Sequence, residues 1–166
     1  KKMEESARFH LDGYIILKDL LPGHVIQEAR TEAANNFSKC LNFITERNLE
    51  FGMHAKKGFK EIVQRNEKRY EMQFGMDKTS IFQSPHIMNN EKLHSVLDAI
   101  LGEETKNNPS ESSWKLCSRS IVNACPGSLE QQWHVDGAHV DIHTHRRCHV
   151  LNVFFPLVDI TMENGP

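Results

Sequence analysis

No CxxC pair, no internal repeat and no apolar run long enough to span a bilayer occurs in this sequence. Its four cysteines, Cys40, Cys117, Cys125 and Cys148, lie far apart. That spacing excludes a zinc ribbon or a disulfide scaffold and leaves reduced, mostly buried thiols as the default. An excess of one charge is lacking too: 20 Lys and Arg stand against 22 Asp and Glu. A net charge of −2 offers a phosphate backbone no attractive field, so no nucleic-acid partner is expected. The opening KKMEESARFH has no apolar signal-peptide core. The expectation is an intracellular protein, cytoplasmic and peroxisomal not being distinguishable, with no membrane partner. The sequon Asn36-Phe37-Ser38 falls inside a helical pattern and reads as chance.

What is present suits one globular domain: 166 residues, 39% apolar and 25% charged. Residues 13–21, GYIILKDLL, are β-rich and follow a turn-prone Asp-Gly, so they read as a short strand. Pro22 suits a first helical turn, and Ile26, Ala29, Ala33, Phe37, Leu41 and Ile44 make one apolar face of a helix over about 22–47. Residues 48–80 are less periodic. Within them RNEKRYEMQFGM reads as extended, carrying Arg69 and Tyr70 either into a pocket or onto a solvated face. A second helix is capped by Asn89 or Asn90, has a Leu93, Val96, Leu97, Ile100 and Leu101 stripe, and ends at Gly102. Beyond a polar loop, 114–123, QQWHVD and 148–159 read as strands, the last apolar on both faces as a buried strand is. Helices first and strands later, without βαβ alternation, predict an α+β fold: helices buttressing an antiparallel sheet or jelly roll.

Five of the ten histidines, His134, His139, His143, His145 and His149, fall in one short window. Residues two apart on a strand share a face, so His134 and Asp136 can offer an imidazole and a carboxylate to one ion. With a second histidine they would form the facial triad of non-haem Fe(II) oxygenases. Alone, His-x-Asp is equally an ordinary polar corner. Trp133 reads as core. His139, His143, His145 and His149 belong either to a pocket loop over about 137–147, mobile or irregular, or to a separate Zn2+ or Cu2+ site.

Three blocks in order, FHLDGYIILKDLLP, NACPGSLEQQWHVDGAH and VFFPLVDITMENGP, resemble the phytanoyl-CoA dioxygenase-like family of Fe(II)- and 2-oxoglutarate-dependent oxygenases. The resemblance covers most of the chain, and its last block is the most specific. It implies a double-stranded β-helix (jelly-roll, cupin-like) core buttressed by N-terminal helices. It also implies Fe(II), 2-oxoglutarate as cosubstrate, O2 and supportive ascorbate, with His134 and Asp136 as metal ligands and catalytic residues. Related halogenating enzymes carry a small residue at the carboxylate position. Asp136 fills it, so the implied reaction is hydroxylation of a small-molecule substrate, whose identity no sequence feature selects. Arg119 and Asn123 share a strand face where family members place cosubstrate contacts. Asn152, amid HVLNVFF, needs a polar partner if buried, either the cosubstrate or backbone.

The family's second metal histidine and its 2-oxoglutarate arginine follow the N-G-P turn, and these 166 residues contain neither. The expectation is therefore a single oxygenase-like domain over 1–166 that lacks its last core strands, with activity confined to the intact protein. The rival reading is a non-catalytic metal-binding or structural protein that keeps the fold and the histidine-rich loop. The 166 residues alone should release no succinate from 2-oxoglutarate with Fe2+, ascorbate and O2. Turnover matching that of an extended chain would mean that the triad is completed internally, by His145 or His149.

Overall fold

In a computed structural model, residues 2–49, 52–53, 61–73, 77–101, 114–134, 136, 143 and 148–164 are described. Helix α1 (Lys2–Asp12) is rich in strong helix formers, Met, Glu, Ala, Arg and Leu. It stops at Gly13, whose φ of 78° lets its N–H reach back 2.8 Å to the Phe9 carbonyl. Helix α2 (Gly23–Glu46) starts directly after Pro22 and buries Val25, Ala29, Ala33 and Ile44. The predicted stripe is thus the buried one, with Val25 more deeply covered than Ile26. Strands β1 (Gly52–Met53), β2 (Ile62–Asn66) and β3 (Arg69–Gln73) precede a 3-10 turn, Ile81–Gln83. Then come the short helix α3 (Pro85–Met88), helix α4 (Glu91–Leu101) and strand β4 (Ser120–Ala124). The class is α+β. No helix among the described residues is long and apolar enough to cross a membrane.

The chain divides into two compact units. One comprises Gly23–Gln83, Cys117–Gln132 and Pro156–Pro166. Its sheet runs β1-β2-β3-β4, with β1 parallel to β2 and the other pairs antiparallel. Register puts Ile62 opposite Met72, and Met72 opposite Ile121, on one sheet face. These three join Ala33 and Ile44 of α2 in the core, with Phe37, Cys40, Tyr70, Phe82 and Leu157 at its margin. The opposite face carries the Arg65–Glu71 ion pair. Glu32 of α2 anchors the 3-10 turn, accepting from Ser80 Oγ (2.6 Å) and the Ile81 N–H (2.9 Å).

The other unit comprises Lys1–Pro22, Ser84–Leu116 and Trp133–Phe155. Helix α4 buries Leu93, Val96, Leu97 and Ile100, as its stripe predicts. Asn90 is its cap: Oδ1 accepts the Leu93 N–H at 3.0 Å. Gly102 lies outside the described residues. Ser6 Oγ of α1 donates to the Ala99 carbonyl of α4 at 3.1 Å.

Four expected strands differ from the structure. Residues 13–21 form no strand. Asp19 takes a positive φ of 54°, and the Lys18 and Leu20 carbonyls accept from Lys92 Nζ and Asn90 Nδ2, side chains of the α4 region, instead of a neighbouring strand. Of 114–123, only Ser120 onward pairs, because the five residues of β3 offer partners to Ser120–Ala124 alone. Trp114 turns instead to α4, its indole N–H donating to Asp98 at 2.9 Å and its ring meeting His94 edge-on. Gln131–His134 and 148–159 have no ladder partner among the described residues, and without one an apolar pattern does not become a strand. Nor is the last segment buried: Val150 is 62% and Phe154 74% exposed.

Ile62 is wholly buried at the centre of the core. Ile62→Ala should lower unfolding stability by about 2–5 kcal/mol in urea titrations, whereas a value near zero would show that β2 does not pack on α2.

Candidate metal centre

Strand β4 carries Asn123, and the chain after it turns sharply. Cys125 N–H donates to the Lys68 carbonyl in the β2–β3 hairpin (2.9 Å), Ser128 N–H to the Cys125 carbonyl (2.9 Å), and Gly127 adopts a φ of 82°. An L side chain there would be strained. Arg69 Nη2 next donates to the Leu129 carbonyl at 3.2 Å. Neither reading offered for the 65–76 segment describes these two residues: Arg69 ties down a loop, and Tyr70 packs on Phe37 with ring centroids 5.3 Å apart.

His134 and Asp136 do not lie on a strand, yet their side chains converge. His134 Nε2 stands 3.2 Å from Asp136 Oδ1. Both side chains are about half exposed. Asn152 Nδ2 donates to the other carboxylate oxygen, Asp136 Oδ2, at 2.5 Å. A single carboxylate therefore meets both His134 and Asn152, the latter 16 residues beyond Asp136. The spacing suits a metal: ligands at right angles with bonds of about 2.1 Å stand about 3.0 Å apart. Imidazole nitrogen with carboxylate oxygen is also a donor set that Fe(II) accepts. No third His, Cys, Asp or Glu joins them among the described residues. His139 and His145 lie outside those residues, as does nearly all of the predicted 137–147 loop. The separate-site reading, which needs them, falls outside the described residues. His143 is exposed.

Trp133 is not core: its side chain is fully exposed. The sequence pattern around it is that of a strand, and without a ladder nothing turns the indole inward. Asn152 is not buried either. Its amide donates to Asp136, a contact that strand periodicity has no means of signalling.

Arg119, Ile121 and Asn123 share a face, as period two predicts. That face packs on α2, since Ile121 belongs to the core cluster. Arg119 Nη1 donates to the Phe82 carbonyl at 3.3 Å. Asn123 Nδ2 is buried without a hydrogen-bond partner, which is an unfavourable position for an amide donor.

A histidine and a carboxylate thus stand 3.2 Å apart in an α+β chain and offer a mixed N/O donor set. The family model for phytanoyl-CoA dioxygenase (PhyH) matches residues 9–166, nearly the whole chain, and the protein belongs to that family. Members are generally Fe(II)- and 2-oxoglutarate-dependent oxygenases with a cupin-like fold. No curated protein and no solved structure matches the chain.

Burial pushes the thiol of Cys148, four residues before Asn152, above the usual cysteine range. Iodoacetamide should therefore label Cys148 more slowly than free cysteine at neutral pH, with labelling accelerating only in alkaline buffer, as followed by peptide mass spectrometry. Fast neutral labelling would mean an accessible thiolate.

Proposed function

We infer that this protein is an Fe(II)- and 2-oxoglutarate-dependent dioxygenase that hydroxylates a small-molecule substrate, with His134 and Asp136 as two of its metal ligands. The observation that carries this reading is the 3.2 Å approach of His134 Nε2 to Asp136 Oδ1 in a chain of this family. Membership in the family also weighs against the non-catalytic reading. When bound, iron and 2-oxoglutarate supply the O2 activation needed to break an unactivated C–H bond, chemistry that no side chain provides. The chain's own residues bind and orient. His134 would hold the ion through an imidazole nitrogen, and Asp136 through a carboxylate oxygen.

Asn123 is the candidate cosubstrate contact on β4. Its buried, unpartnered amide N–H is a donor that a carboxylate of 2-oxoglutarate would satisfy. Arg119, four residues earlier, is the second candidate. The fold reading is a double-stranded β-helix, which the family's cupin-like fold supports.

His134→Ala and Asp136→Ala in the full-length protein should each abolish Fe2+-dependent succinate release while thermal unfolding stays near wild type. Asn123→Ala should raise the KM for 2-oxoglutarate about tenfold, the cost of a lost hydrogen bond to a charged group, with kcat little changed. Full activity in the His134 and Asp136 variants would remove them from the metal centre.

A further inference from the structure

Asp136 has two oxygens, and the structure gives them different neighbours. Oδ1 faces His134 Nε2 at 3.2 Å, and Oδ2 accepts the Asn152 amide at 2.5 Å. A free carboxylate rotates about its last torsion with a broad, two-fold preference and presents either oxygen, or both, to a cation. Donation from Asn152 removes that freedom. It ties Oδ2 away and leaves Oδ1 beside the imidazole nitrogen as the one oxygen available at the point where the two donors converge.

We propose that Asn152 is a positioning residue of the metal centre, which fixes the Asp136 carboxylate so that it binds a divalent cation through Oδ1 alone. The proposal rests on the reading of His134 and Asp136 as metal ligands and gives Asn152 a role through Asp136 instead of through the cosubstrate. Three features of the surroundings support it. Asn152 Nδ2 is the donor and the carboxylate can only accept, so the direction of the bond is unambiguous. The site is about half exposed, so water competes for Oδ2 and an unanchored carboxylate would not hold one orientation. Asn152 also comes from a different stretch of chain, 16 residues on, so it restrains Asp136 against a separate segment and not against its own turn. Partners of this kind orient ligands, and their loss typically costs about 10- to 100-fold in metal affinity.

The test uses the full-length protein and Co2+ as the probe, titrated by its visible absorption. Wild type is compared with Asn152→Leu, which keeps the side-chain volume and removes the donor, with Asn152→Ala, and with Asn152→Gln, which keeps an amide. His134→Ala serves as the ligand control. The affinity for 2-oxoglutarate is measured separately at saturating Co2+. Expected are a 10- to 100-fold weaker Co2+ affinity in Asn152→Leu and Asn152→Ala, a shifted absorption band from altered carboxylate coordination, and an unchanged 2-oxoglutarate affinity. Asn152→Gln should partly restore both Co2+ affinity and band position. Thermal unfolding identifies any variant that fails to fold, and Asn152→Ala replaces Asn152→Leu in that event.

Wild-type Co2+ affinity and spectrum in the variants would overturn the proposal. So would a loss confined to 2-oxoglutarate affinity, which would make Asn152 a cosubstrate contact. If His134→Ala binds Co2+ as wild type does, the metal-centre reading itself fails and the proposal with it. If His134→Ala loses Co2+ while Asn152→Leu does not, only the role of Asn152 fails.

Discussion

The pairing of β3 with β4 is the constraint on which the sheet-bearing unit depends. Arg69–Gln73 and Ser120–Ala124 stand about fifty residues apart in sequence, and five cross-strand pairs hold them together. Closing so long a loop is entropically costly, so the pairing needs more than its backbone hydrogen bonds. Met72 and Ile121 supply it: they face each other on the side of the sheet that meets α2, and their burial with Ile62, Ala33 and Ile44 is the core of the unit. The same register puts Tyr70 beside Asn123 and brings the Cys125–Ser128 turn against the β2–β3 hairpin.

At the candidate centre the organising group is the Asp136 carboxylate. It is the one acceptor shared by an imidazole and an amide, and it joins segments that no ladder joins. The position is half exposed, so its electrostatics are screened and the pair by itself adds little stability. What the arrangement offers is geometry: two donors of different chemistry about one ligand-ligand distance apart, with the second carboxylate oxygen otherwise engaged. A metal protein needs that selectivity of presentation more than it needs a strong ion pair.

Helices were legible in the sequence where their apolar residues recur every three or four positions. The α2 stripe is buried at Ala29, Ala33 and Ile44 and the α4 stripe at Leu93, Val96, Leu97 and Ile100, and Asn90 caps as its side chain suggests. Helix α1 was not anticipated, because its sequence carries propensity without a clean stripe. Strands were read less well. GYIILKDLL, WKLCSRSIVN, QQWHVD and CHVLNVFFPLVD all have strand composition, yet only the end of the second enters the sheet. A helix satisfies its own backbone, whereas a strand requires a partner that local sequence does not name.

The sequence by itself determined the family, through three ordered blocks, and through that resemblance it singled out His134 and Asp136. It also determined which helix faces are apolar, since that follows from periodicity alone. Only the tertiary structure decided that Arg69 holds the Leu129 carbonyl, that Trp133 lies in solvent and that Asn152 reaches Asp136. Each of these depends on which distant segment arrives beside the residue, and a contact across 60 or 16 positions leaves no periodic trace along the chain. Local sequence sets what a side chain can donate or accept; the packed chain sets to whom.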